Sequence, residues 1–207
     1  MHSWRGRKSA ACTQTTSSPG IPMAFYSGII FEAAAVLLIV LNVLLIATVT
    51  SNSFRLWPTP STTSWQHYTF WPLFRGGLGL TILYVLMTLH LPAPGEVLPF
   101  AAGLALGLGG AGFLVHGYFD LGIENTYGAD EGLVTNGLYR YSRNPQYVAS
   151  ILGFFGAALG NGEPHAIFLC ALAILVYIIM PYTEEPWLQQ AYGDVYLDYK
   201  RRTPRFL

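Results

Sequence analysis

Charge is what this sequence has least of. Asp, Glu, Lys and Arg make up 11% of its 207 residues, where a soluble domain carries roughly 25%. Basic and acidic side chains number 11 each and cancel to a net charge of zero. That removes the electrostatic footprint of a nucleic-acid-binding protein. Cysteine is almost as scarce. Cys12 lies in a polar tail and Cys170 inside an apolar run, so the pair builds neither a disulfide framework nor a zinc-ligand spacing. The histidines (His2, His67, His90, His116 and His165) are scattered, and no metal site is expected.

What is present is apolar. Hydrophobic residues make up 52% of the chain and the mean hydropathy is +0.39. The length fits one domain, and the composition predicts an all-α integral membrane protein. Residues 1–22 are rich in Ser, Thr and Arg without apolar periodicity and are expected to be a disordered tail. They read either as an over-extended start, with translation from Met23, or as a basic segment ahead of a signal anchor. Residues 23–207 are expected to form a single membrane domain.

Apolar runs at 28–50, 72–91 and 96–118 each approach the ~20 residues that cross a bilayer. The loop at 51–71 carries Trp57, Trp65, Tyr68, Phe70 and Trp71, a density that suits an interfacial aromatic belt. Pro92, Pro94 and Gly95 predict a tight turn. Runs at 148–160 and 165–180 are shorter than a full span and predict a hairpin closed by a turn at 161–164. The expectation is about five transmembrane helices with a C-terminal amphipathic interfacial helix. Gly107, Gly109 and Gly112 form a literal G-x-G-x-x-G. It lies inside a hydrophobic run, whereas a dinucleotide fingerprint needs a strand before it and a helix start after it. Close helix packing comes first as its explanation, with Gly103 and Gly107 as a small-xxx-small pair, and clearance for a ligand second.

Two polar stretches interrupt this pattern. Residues 130–147, DEGLVTNGLYRYSRNPQY, hold an acidic pair, two arginines, three tyrosines and an Asn-Pro turn. Residues 184–206, EEPWLQQAYGDVYLDYKRRTPRF, close the chain. In the second, Trp187, Leu188, Ala191, Tyr192, Val195, Tyr196 and Tyr199 recur at helical spacing and predict one shared face. Acidic residues at its start and basic ones at its end also complement a helix dipole. That leaves unexplained two adjacent carboxylates placed directly after a membrane span, where desolvation is costly. Such a pair suits binding a cationic cofactor or accepting a proton from an amine. In the first stretch, Arg140 and Arg143 either pair with a carboxylate or phosphate or serve topology and snorkelling. The helix start near Tyr147 offers N–H groups to an anion. The loops and termini on the motif side carry Arg55, Arg75, Arg140, Arg143, Lys200, Arg201, Arg202 and Arg205, against Arg5, Arg7 and Lys8 on the other. The positive-inside rule then puts the motifs in the cytoplasm.

These stretches resemble a known family. Leu133-Val134-Thr135, Gly137, Tyr139-Arg140-Tyr141, Arg143-Asn144-Pro145 and Tyr147 are followed by Glu184-Glu185, Tyr192-Gly193, Tyr196, Tyr199 and Arg202-Thr203-Pro204. The series is similar in order and spacing to the membrane methyltransferases that include isoprenylcysteine carboxyl methyltransferases and phospholipid (phosphatidylethanolamine) N-methyltransferases. Asn144 stands where the carboxyl branch usually has His. The Glu184-Glu185-Pro186 triplet looks more like the phospholipid branch, and the tyrosine-rich tail more like the carboxyl branch.

The resemblance implies S-adenosylmethionine as cofactor and a catalytic part at about 118–207. It implies a cofactor pocket lined by Val134, Gly137, Tyr139, Arg143, Asn144, Pro145, Tyr147, Glu184 and Glu185. Glu184, Glu185 and Arg202 would be the catalytic residues, with the carboxylates accepting a proton from an amine or Arg202 orienting a carboxylate nucleophile. The acceptor would be lipid-like and enter laterally from the bilayer. Two alternatives stand beside this: an NADPH-dependent membrane reductase of the sterol or steroid type, and a non-catalytic membrane scaffold.

Overall fold

The computed structural model describes residues 23–51, 53–121 and 132–207. The tail at 1–22 and the acidic pair Asp130 and Glu131 lie outside the described residues. Among the described residues five α-helices follow in order: α1 (Met23–Thr50), α2 (Trp65–Thr88), α3 (Val97–Leu121), α4 (Pro145–Asn161) and α5 (Pro164–Arg202). A short 3-10 turn, Gly137–Arg140, precedes α4. The described residues contain no strand.

Four of the helices are long and apolar enough to cross a membrane: 25–50 in α1, 65–88 in α2, 97–119 in α3, and α5. The fifth expected span, α4, has 17 residues, or ~25 Å of rise, and falls short of a ~30 Å hydrocarbon core. Val36, Val43, Leu86, Leu104, Leu108 and Phe113 project outward, as helices facing lipid require.

The core lies between α1, α2 and α5. Leu38, Leu41 and Leu45 of α1 bury against Phe70 and Leu78 of α2 and Ala173, Val176, Tyr177 and Met180 of α5. Asn42 Nδ2 reaches across to the Leu172 carbonyl at 3.1 Å while also holding Leu38 O at 2.8 Å. At the far end of the bundle, Asn161 Nδ2 donates to Val85 O (3.0 Å) and Thr88 Oγ1 (3.1 Å). The α4–α5 turn is built as its sequence predicts. Gly162 supplies a left-handed φ of 72°, Pro164 opens α5, and Glu163 caps it by accepting from Ala166 N at 2.7 Å.

Three boundaries depart from expectation. Ser64 caps α2 by accepting from His67 N, so Trp65, Tyr68, Phe70 and Trp71 are helical rather than loop residues. The belt divides accordingly: Trp65 and Tyr68 are exposed, whereas Trp57 and Phe70 are buried and stack with centroids 4.2 Å apart. The last span does not stop at Pro181. It continues through Pro186 into the C-terminal stretch, with Thr183 Oγ1 donating to Met180 O at 2.8 Å. Finally, Gly193 breaks helical geometry with φ 55° and ψ −130°. This rotates the helical face, leaving Ala191 and Val195 exposed while Tyr196 and Tyr199 are buried.

The glycines of α3 settle the packing question. A Cβ at Gly103 would come within 2.4 Å of Gly160 N and 2.5 Å of Gly156 O. One at Gly110 would meet Ala149 O and Gly153 N at 2.7 Å, and one at Gly117 would meet Gln146 Cγ at 2.8 Å. Gly103, Gly110 and Gly117 therefore form the seam on which α3 lies antiparallel against α4, backbone to backbone. Gly107, Gly109 and Gly112 have open space where a Cβ would go. Gly107 still belongs to the seam through its backbone, because a Cβ on Gly156 would meet Gly103 O and Gly107 N at 2.6 Å each, as the Gly103–Gly107 pair predicts.

Candidate functional site

The α1–α2 loop, the first turns of α2, the last turns of α3, residues 132–147 and α5 beyond Tyr177 converge at one end of the bundle. They line a cavity that is open to the outside. Its walls are largely aromatic: Trp57, Phe70, Trp71, Phe74, Tyr118, Tyr147, Tyr177, Trp187 and Tyr192 all line it.

The two polar stretches are zipped together there through the backbone. Arg143 N donates to Pro204 O (2.9 Å), Asn144 Nδ2 to Arg205 O (2.9 Å) and Ser142 Oγ to Arg205 O (3.4 Å). Deeper in, the Tyr199 hydroxyl donates to Tyr139 O at 2.7 Å. Gly137, at φ 55°, allows the 3-10 turn that presents this carbonyl. Asn144 leads into α4 without capping it through its side chain, because its amide is committed to the C-terminal tail. The N–H groups of Tyr147 and Val148 return to the Asn144 carbonyl. The anion-binding role expected of this helix start is therefore not open to those two groups.

The adjacent carboxylates are in unlike surroundings. Glu185 is buried and ringed by cations. Arg205 grips it with both nitrogens (2.6 and 2.8 Å), Arg143 Nη1 lies 3.1 Å away and Lys200 Nζ 3.2 Å. The hydrogen bonds to Glu185 push the Arg205 guanidinium above its usual range, so it stays charged. Arg205 also lies over the Tyr182 ring at 3.9 Å. Arg143 donates to the Tyr196 hydroxyl at 3.2 Å, while its buried Nε has no partner. Glu184 faces the aromatic cavity, where its Oε1 accepts from Trp57 Nε1 (2.5 Å) and from the Tyr147 hydroxyl. One carboxylate anchors the tail; the other is presented to the cavity.

Of the residues named from sequence, Val134, Tyr139, Arg143, Asn144, Tyr147, Glu184 and Glu185 line the cavity. Gly137 and Pro145 shape its wall without lining it. Arg202 stands apart: it is exposed, and its Nε turns back to Asp198 O at 3.2 Å. Arg205, which was not named as a site residue from sequence, joins Arg143 and Lys200 on Glu185. Sequence reasoning missed Arg205, because three other basic residues precede it within six positions and nothing local ranks them. It also missed Trp57, which had been assigned to the belt.

Fold and site together define an all-helical membrane protein with a carboxylate-bearing aromatic cavity at one end of its bundle. Residues 98–195, covering α3, α4 and most of α5, match the family model described as phospholipid methyltransferase. The chain is 31% identical over 105 residues to a phosphatidyl-N-methylethanolamine N-methyltransferase of Neurospora crassa, covering 48% of this chain and 49% of that protein. It is 31% identical over 96 residues to a phosphatidylethanolamine N-methyltransferase of Rattus norvegicus, covering 44% and 48%. Over 66 residues it is 29% identical to a phosphatidylethanolamine N-methyltransferase of Kluyveromyces lactis, covering 31% and 8%. The chain thus spans about half the length of the first two relatives and a small part of the third. No solved structure matches it. The resemblance drawn from the C-terminal motifs is borne out: residues 98–195 are similar to the phospholipid methyltransferases.

Proposed function

We propose that this protein transfers a methyl group from S-adenosylmethionine to the amine of a membrane phospholipid. The observation that carries the reading is Glu184, a carboxylate held by Trp57 and Tyr147 on the wall of an aromatic cavity at one end of the helix bundle. Named relatives of the phospholipid branch favour an amine over a prenylcysteine carboxylate.

The residues present suit the cofactor. Aromatic faces attract a cationic sulfonium. Arg143, buried and with Nε unpartnered, would suit the carboxylate of the cofactor's amino-acid part. Bound S-adenosylmethionine supplies an electrophilic methyl carbon. An amine nucleophile would have to be neutral to accept that methyl group, which calls for a base beside it. Glu184 is placed to take the proton the amine releases. The surrounding aromatic rings exclude water and restrict the acceptor to an in-line approach. Every described Lys and Arg lies toward the motif end, which favours a cytoplasmic site with the lipid arriving from the bilayer.

The test is incubation of purified protein, in nanodiscs, with radiolabelled S-adenosylmethionine. Separate discs carry phosphatidylethanolamine, its monomethyl and dimethyl forms, or a prenylcysteine. Label in a phospholipid headgroup is expected. Label confined to the prenylcysteine moves the protein to the carboxyl branch, and no label in any acceptor overturns the reading.

A further inference from the structure

Glu184 uses its two oxygens unequally. Oε1 accepts from both Trp57 Nε1 and the Tyr147 hydroxyl, while Oε2 has no hydrogen-bond partner among the described residues. Tyr147 belongs to the motif stretch, but Trp57 does not. It comes from the α1–α2 loop, outside residues 98–195 that match the family. Its indole is 4% exposed, stacked on Phe70 at 4.2 Å and set edge-on to Trp71 at 5.6 Å. An indole so confined cannot turn its N–H elsewhere without dismantling the aromatic cluster of α2.

We infer that Trp57 is a positioning residue of the reaction, occupying one oxygen of Glu184 with Tyr147 so that the other is left to the acceptor amine. This rests on the methyl-transfer reading above. It gives the N-terminal hairpin a part in the chemistry: α1 and α2 carry one of the two donors that orient the base. A carboxylate held through one oxygen keeps a single reactive lone-pair direction, and a hydrogen bond to the charged form also favours ionisation. Other groups facing Glu184 act on its charge as well. Glu185 lies beside it on α5, compensated by Arg143, Lys200 and Arg205. Tyr147 comes from α4, Tyr196 from beyond Gly193, and Tyr118 from α3 lines the same cavity. Arg75 on α2 is stacked over Trp71 at 4.3 Å. Of these neighbours, Trp57 and Tyr147 are the two that donate to Glu184 Oε1, and either can lose its donor without a change in charge.

The decisive variant is Trp57→Phe, which keeps a ring against Phe70 and deletes the N–H. With one donor gone, Glu184 holds its proton to higher pH, and the base form appears later as pH rises. The acidic limb of the kcat profile for phosphatidylethanolamine methylation in nanodiscs is expected to move up by about one pH unit or more, the scale of a hydrogen bond to a charged group. Below the limb this is about a tenfold loss of rate. The deficit is expected to be smallest on the alkaline plateau, where Glu184 is ionised in both proteins. A profile superimposable on the wild type overturns the inference. So does a uniform loss at every pH with a lowered thermal midpoint, which is what a purely structural tryptophan would give.

Indole NMR with nitrogen-labelled tryptophan reads the bond without catalysis. The Trp57 N–H signal, identified by its loss in Trp57→Phe, is expected downfield and should move upfield in Glu184→Gln. An unmoved signal overturns the clamp. A shifted signal in a wild type that methylates no lipid supports the clamp and overturns the reaction reading instead.

Discussion

At the scale of single residues, the adjacent carboxylates divide their work. Glu185 is buried with Arg143 and tethers two more cations, Lys200 and Arg205, from the chain end. Removing one member of such a group leaves the others charged and desolvated, which costs about 3–5 kcal/mol for a fully buried pair. The partial exposure of Lys200 and Arg205 reduces that figure here. Glu185→Gln is therefore expected to lower the thermal midpoint by several degrees and loosen the C-terminal tail, seen as faster proteolysis after Arg202. Glu184→Gln removes no ion pair, so its expected effect is different. The midpoint stays near wild type while turnover falls about a hundredfold or more, within the range for loss of a general base. Thermal unfolding and single-turnover methyl transfer, measured on both variants, separate the two roles. Equal thermal losses with equal rates would mean that the carboxylates are interchangeable.

At the scale of elements, the α3–α4 pair and the Gly193 break carry most of the information. Gly103 and Gly110 allow backbones to touch, and a methyl group at Gly103 would sit 2.4 Å from the Gly160 nitrogen. Gly103→Ala must push α3 off α4, and because Tyr118 and Leu114 of α3 line the cavity, activity should fall with stability. Gly109→Ala is the control. Its Cβ meets nothing within 4 Å, and exchanging an interior helical glycine for alanine gains up to ~1 kcal/mol of helix propensity. A midpoint equal to or above wild type is expected for Gly109→Ala and a marked drop for Gly103→Ala in the same thermal assay. Gly193 sits at φ 55°, a conformation that L side chains rarely adopt. Gly193→Ala favours an unbroken helix, which would turn Tyr196 and Tyr199 away from Arg143 and Tyr139. Cofactor affinity by calorimetry should weaken, and wild-type binding in this variant would remove the break from the site's architecture.

At the scale of the whole molecule, the described cations gather at one end of the bundle and the far end holds Glu96, Glu163, His90 and His165. If the positive end is cytoplasmic, a single cysteine introduced at Ser53 or Leu207 should label with a membrane-impermeant thiol reagent only in inverted vesicles. One at Gly95 should label only in right-side-out vesicles, with Cys12 and Cys170 replaced in the background. The reverse pattern would turn the protein over and separate its cavity from the cytoplasmic cofactor pool.

The sequence by itself determined the solvent, the element type and the family resemblance. Scarce charge and long apolar runs leave helices in a bilayer as the stable solution, since an unpaired backbone group in hydrocarbon costs several kcal/mol. The motif stretches put Glu184, Glu185, Arg143 and Tyr147 on a short roll of residues that the cavity gathers. These features are local in the chain, written in composition and spacing. Tertiary structure decided what depends on residues far apart in sequence. It set Arg205 on Glu185 beside Arg143 and Lys200, and set Gly103, Gly110 and Gly117 at the α3–α4 seam. It also brought Trp57 from the first loop onto Glu184, 127 positions away. A hydrogen bond across that separation leaves no periodicity in the sequence, because its geometry exists only once α1, α2 and α5 are packed.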